Sequence, residues 1–167
     1  MMDALTAMRL RRTVREFEPG KSISKETLET IADAGRVAAT AINIQPWEFV
    51  IITNRDMLKK MADLAEYGKH LASASAAIAV LCKDSPFYLE DGCAATQNML
   101  VAATALGIAS AWIDGEKKEY GAAMKQLLGA PAEIKLVSII ALGYSNDETT
   151  PEKRPLEEVI HWEKFLM

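Results

Sequence analysis

Ile134-Lys135-Leu136-Val137-Ser138-Ile139-Ile140-Ala141-Leu142 is the stretch that decides the fold. It reads as the clearest strand in the chain, apolar on both alternating faces, so that layers on each side must cover it. Three further runs share the signature: Trp47 to Thr53, the Ala-rich segment 76–82, and 109–113, which ends at Asp114-Gly115. Between these strands the apolar spacing switches to a helical period. Asp3 caps a short first helix carrying Leu5, Met8 and Leu10, and Pro19-Gly20 breaks the chain after it. Ser24 caps a second helix with Leu28, Ile31, Ala32 and Gly35 on one face, and Asn54 starts a third with Leu58, Met61 and Leu64. A long helix is expected from Glu90 to Leu106 with Gly107 as its stop, another from Lys118 to Leu128 closed by Gly129, and a last short one from Pro155 to Ile160. The class is α+β: a small central sheet, mixed or antiparallel, flanked by helices. Four strands are few for 167 residues, so helices or another subunit must cover much of the sheet.

Composition narrows the function. The net charge of −4 argues against a nucleic-acid track. No apolar run reaches the ~18 residues that span a bilayer, and no signal peptide stands at the N-terminus, so a cytoplasmic protein with no membrane partner is expected. Cys82 and Cys93 make no disulfide framework and read as reduced thiols in apolar surroundings. His70 and His161 have no spacing that suggests a metal site and read as surface or partner-contact histidines.

Against that acidic background, Arg9, Arg11, Arg12 and Arg15 form a dense cationic run. Guanidinium forks pair with phosphate or carboxylate, so a point anion site is one reading, and a solvated helix end is the other. Asn43-Ile44-Gln45-Pro46-Trp47 lies in the turn before the first strand. Its two amides offer donors and acceptors that suit the edge of a heteroaromatic ring, although Asn, Pro and Trp are also ordinary turn and core residues. Trp112-Ile113-Asp114-Gly115 ends a strand, where Gly lets a backbone N–H approach a ligand. Lys153-Arg154 is a basic pair on the tail. No P-loop, no dinucleotide fingerprint and no catalytic triad can be nominated, so an enzyme built on this chain relies on a bound cofactor for its chemistry.

Taken in order, these motifs resemble the nitroreductase family of flavin-dependent oxidoreductases. Its opening Arg-Arg-Ser-hydrophobic-Arg-x-Phe stands here as residues 11–17 with Thr13 for Ser, its Asn-x-Gln-Pro-Trp at 43–47, its Gln-Asn on the long helix at Gln97-Asn98, its Trp-Ile-x-Gly at 112–115, and its Leu-Gly-Tyr and basic-Pro tail at 142–144 and 153–155. The resemblance implies one nitroreductase-like domain over 1–167, an intertwined homodimer with FMN at the interface, and a tail, 144–167, packed on the partner subunit. It implies that Arg11, Arg12, Thr13 and Arg15 hold the phosphate, ribityl and pyrimidine parts of FMN, joined at the phosphate by Lys153 and Arg154. Thr40, Asn43 and Gln45 would lie against the ring from the partner, with the Gly115 N–H, beside Asp114, at flavin N5. The implied activity is ping-pong hydride transfer from NADH or NADPH, through flavin N5, to nitroaromatic, quinone or related small-molecule acceptors, with no catalytic side chain and no metal. Two alternatives are the same flavin fold used for reductive dehalogenation or flavin fragmentation, and a non-enzymatic flavin-binding or regulatory dimer. Ala39-Thr40 departs from the family's usual Pro-Ser, which loosens the expected ring contact.

Overall fold

The computed structural model describes residues 2–115, 117–149 and 151–165. Of the expected domain 1–167 and tail 144–167, Met1, Glu116, Thr150, Leu166 and Met167 lie outside the described residues.

Among the described residues, five α-helices and four strands follow one another as α1 (Ala4–Leu10), α2 (Lys25–Arg36), β1 (Trp47–Ile52), α3 (Arg55–Leu64), β2 (Ala76–Cys82), α4 (Tyr88–Ala105), β3 (Ala109–Asp114), α5 (Gly121–Leu127) and β4 (Lys135–Gly143). The local signals act where the sequence places them. Asp3, Ser24 and Asn54 cap α1, α2 and α3, their side-chain oxygens accepting the N–H groups of Thr6, Thr27 and Met57 at 3.1, 3.1 and 2.9 Å. Each cap satisfies a donor that the helix itself cannot. Gly107 ends α4 with φ 73°, a left-handed stop that a side chain would resist.

The strands form one sheet in the order β1-β2-β4-β3, every pair antiparallel. The two strands most apolar in sequence are the two central ones: β2 is buried throughout, and β4 at every residue but its first. Alternation splits their side chains between two cores. On one face Ala77, Ala79, Ile139 and Ala141 pack against Leu58 and Met61 of α3 and Met124 of α5. On the other Ile78, Val80, Ile140 and Leu142 pack against Leu28 and Ile31 of α2 and Met99 of α4. Full burial of each such Leu or Ile contributes about 1.5–3 kcal/mol, which is why the sheet is the rigid frame on which the loops are hung.

Two segments complete the frame. The chain after α1 runs extended beside β3, with an isolated parallel bridge from Thr13 to Ser110 and the Val14 N–H donating to the Ser110 carbonyl at 2.9 Å. It then crosses the sheet end, where Phe17 lies against Gly143 and the Glu18 N–H bonds the Tyr144 carbonyl at 2.8 Å. At the other terminus the expected helix from Pro155 to Ile160 shrinks to a single 3-10 turn, Leu156–Glu158. Residues 151–165 are exposed throughout, so no packed face supports further turns, and a helix this short does not propagate alone.

Candidate functional site

An extended strand sends successive side chains to opposite sides, and this divides the arginine run. Arg12 and Val14 turn toward one cavity, of about 230 Å³, whose wall also includes Leu10, Ser110 and Ser145. Arg15 turns toward another, of about 460 Å³, with Tyr67, Trp112, Asp114, Lys118 and Tyr120. Thr13 is exposed between them, and Arg11 is half-buried where its N–H closes α1 on the Ala7 carbonyl at 2.9 Å. In the smaller cavity the Nε of Arg12 and the Oγ of Ser110 are buried with no hydrogen-bond partner among the described residues. Asp147, on the tail, has its carboxyl held below its ordinary range by hydrogen bonds from Thr149, with the Arg12 charge a smaller pull.

The Arg15 cavity is the end of β3. Lys118 lies 3.8 Å from an Asp114 carboxylate oxygen and 5.3 Å from the centre of the Tyr67 ring. The Tyr120 hydroxyl donates to the Asp114 carbonyl. Burial, then the carboxylates of Asp114 and Glu66, push the Tyr120 phenol up, which keeps it a protonated donor. Gly115 is buried against β4 and, with Asp114, also lines a small space of about 210 Å³ on the other side of β3, beside Leu89, Cys93 and Lys117.

His70, expected as a surface or partner-contact residue, is half-buried within its own chain. Its ring lies 6.2 Å from that of Phe17, and its Nε2 is buried without a partner among the described residues. Burial, and then the neighbouring Arg15 charge, lower its pKa, so it is held neutral. Nothing in the spacing of a lone His signals this; it follows from Phe17 folding back over the sheet.

Thr40, Asn43 and Gln45 are elsewhere. They belong to a tight turn that feeds β1, the opposite edge of the sheet from β3. Ile42, Asn43 and Gln45 have φ values of 45°, 59° and 53°, in the left-handed region that costs a non-Gly residue roughly 1–2 kcal/mol. The turn bonds itself: the Gln45 N–H donates to Thr40 Oγ1 at 3.3 Å and the Gln45 amide to the Asn43 carbonyl at 3.4 Å. Ile42 is left 90% exposed at its tip. Gln45 lines an open groove with Arg36, Trp47 and Phe49, not the Arg15 cavity. Lys153 and Arg154 sit on the exposed arm, and neither forms an ion pair among the described residues. Among the described residues of one chain, therefore, Arg15 and Asp114 share a cavity, Gly115 lines the smaller space on the other side of β3, and Arg12 lines a third. Among the described residues there is no cluster of three or more His, Cys, Asp or Glu that could hold a metal, and no helix long and apolar enough to cross a membrane.

A four-stranded antiparallel sheet between helical layers, with a cationic segment laid along one edge, is the arrangement of the nitroreductase fold. The sequence matches the Nitroreductase family over residues 8–83 and 83–144, and the chain belongs to that family. A protein of Archaeoglobus fulgidus, provisionally named an NADH dehydrogenase/NAD(P)H nitroreductase, is 39% identical over 156 residues, covering 89% of this chain and 88% of its own. A crystal structure from Bacteroides thetaiotaomicron with the same provisional name superposes with a TM-score of 0.91 at 29% identity, over 97% of this chain and 98% of that one. A provisionally named nitroreductase from Desulfovibrio desulfuricans, solved in complex with FMN, gives 0.85 at 29% identity over 99% of each chain.

Proposed function

We propose that this chain is an FMN-dependent oxidoreductase that takes electrons from NADH or NADPH and passes them to nitroaromatic, quinone or related acceptors. The observation that carries the reading is the junction of Arg15 with Asp114, at the end of β3, in one cavity of about 460 Å³, a size ordinary for a cofactor site. The residues there fit a flavin. Aromatic walls from Tyr67, Trp112 and Tyr120 suit a flat ring system, Arg15 and Lys118 suit electronegative atoms on its edge, and Gly115, the next residue after Asp114, lines the adjoining space. The Nε2 of His70 and the Nε of Arg12 are further polar atoms, both buried and unpartnered among the described residues. The FMN complex of the Desulfovibrio relative supports the same assignment.

When bound, FMN supplies the two-electron chemistry, accepting from the nicotinamide and delivering to the acceptor in two half-reactions. The chain's own residues bind and orient. Arg11, Thr13 and Arg15 project from the outer side of the extended segment, with Lys153 and Arg154 on the arm as further cations for a phosphate. Cationic groups such as Arg15 stabilise negative charge that develops beside them.

A second copy completes the site. The start of β1 stands three strand spacings, about 14 Å, from the end of β3, so Thr40, Asn43 and Gln45 meet a ring at Gly115 only if they come from a partner. Apolar surface in the right places supports this: Ile42 at the turn tip, Leu5, Met8 and Leu10 on α1, and Trp162 (78% exposed) and Phe165 on the arm. The arm and its body form one nitroreductase-like domain, with residues 144–165 clasping the other subunit.

The test is spectral. The purified protein, or its apoprotein mixed with FMN, should show flavin absorbance and run as a dimer by light scattering at micromolar concentration. Arg15→Ala should weaken FMN binding by roughly 1.5–3 kcal/mol, the worth of one charge-assisted bond. A colourless protein that takes up no FMN rules out flavin dependence, and a monomer that still holds FMN rules out the shared site.

A further inference from the structure

Asp91 lies outside every motif considered so far. It is only 4% exposed, in the first turn of α4. Its Oδ1 accepts the Ala41 N–H at 3.0 Å across 50 residues of sequence, and its Oδ2 is buried with no partner among the described residues. A carboxylate complementing the helix dipole does not need burial, and exposed Glu90 in the same turn already serves the dipole. A buried carboxylate is costly to retain, so its one strong contact is the place to look for its use.

That contact holds the turn carrying Thr40, Asn43 and Gln45. Left-handed backbone at three non-Gly residues persists only where the surroundings over-determine it. Every other hydrogen bond made by residues 40–45 among the described residues stays inside the turn: Asn43 N–H to Thr40 O, Ile44 N–H to Ala41 O, and the two Gln45 contacts. The bond from Ala41 to Asp91 is, among the described residues, the one hydrogen bond that ties residues 40–45 to the body. The helix bearing Asp91 is itself fixed to α2, since Asn98 donates to the Ala34 carbonyl at 3.1 Å.

We propose that Asp91 is a positioning residue: by holding the Ala41 N–H it locks the 40–45 turn in the shape in which Thr40, Asn43 and Gln45 meet the flavin ring of the partner subunit. It rests on the flavin reading given above, yet the lock itself is measurable without flavin. Asp91→Ala removes the acceptor, Asp91→Asn keeps an acceptor oxygen, and Ala41→Pro removes the donor while leaving the carboxylate, at the first position of the single 3-10 turn Ala41–Asn43, where Pro is tolerated.

The experiment compares these variants as apoprotein and with added FMN. Amide exchange over residues 41–45 should accelerate in Asp91→Ala and Ala41→Pro and stay near wild type in Asp91→Asn. FMN dissociation constants should rise about tenfold or more in the first two, with the bound-flavin bands moving toward those of free FMN, and stay within about threefold in Asp91→Asn. Leu58→Ala, in the core on the other sheet face, calibrates a general stability loss and should leave FMN affinity within about threefold of wild type despite a lower Tm. Unchanged exchange and affinity in both Asp91→Ala and Ala41→Pro overturns the proposal. So does Asp91→Asn failing as badly as Asp91→Ala, or an affinity loss that Leu58→Ala reproduces. If wild-type protein binds no FMN, the flavin reading falls on that result alone, and the exchange data still decide whether Asp91 locks the turn.

Discussion

Gly115 is packed so closely on the peptide carbonyl of Leu136 that a Cβ at this position would overlap the carbonyl oxygen. The neighbour is backbone in the central strand β4, which cannot swing aside as a flexible side chain would. Gly115→Ala is therefore expected to push the end of β3 off β4, destabilising the protein by about 1–3 kcal/mol in urea denaturation. The same shift moves the Gly115 N–H, so FMN affinity should fall with stability. A fully stable Gly115→Ala protein would show that the strand end yields more easily than its packing indicates.

Ser24→Ala provides the contrast. It removes the cap on the Thr27 N–H at 3.1 Å and should cost about 1 kcal/mol. Ser24 lines none of the cavities around β3, so FMN affinity should be unchanged at temperatures where the variant is folded. The paired readout separates loss of a helix cap from loss of a ligand contact.

His70 gives the protein a pH dependence of defined sign. Burial and Arg15 lower its pKa in the folded state below the ordinary value of 6.5. The unfolded chain then binds the proton first, so the stability that neutral His70 contributes is complete above about pH 6.5 and is lost as pH falls through the window down to the folded pKa. Unfolding free energies measured between pH 7.5 and 5 should drop more steeply for wild type than for His70→Gln. Equal slopes would mean that His70 titrates normally.

The two thiols should react differently. Burial, with help from Asp91 and Cys93, pushes the Cys82 thiol up to about 12, so at neutral pH it is protonated as well as inaccessible. Cys93 is only partly buried, and its pKa is raised chiefly by burial and then by Glu90. Iodoacetamide on native protein should label Cys93 slowly and Cys82 only after unfolding, as read by peptide mass spectrometry. Because Cys93 shares a space with Gly115, added FMN should slow its labelling further.

Much of the frame was legible in the chain because its causes are local. The caps at Asp3, Ser24 and Asn54 and the stop at Gly107 act over three or four residues. The runs 76–82 and 134–142 are apolar on both faces because they are the central strands, so burial itself wrote the pattern. The C-terminal helix was misjudged because Pro155 is a good start signal, while continuation needs a packed face that the exposed arm lacks. Asp91 was invisible for a related reason: an acidic residue in a first helical turn is so ordinary that nothing in the sequence separates a buried anchor from a solvated one.

The amino-acid order alone determined the strands, the caps of the first three helices and the ordered motifs that mark the family, since each depends on side-chain type and short-range spacing. Tertiary structure alone decided which of those residues meet. Pairing of the 11–15 segment along β3 sends Arg12 and Arg15 to different cavities, folding Phe17 over the sheet buries His70, and the strand order places the 40–45 turn at the far edge. These outcomes arise from contacts between positions tens of residues apart, whose energies depend on register and packing that no local stretch of sequence encodes.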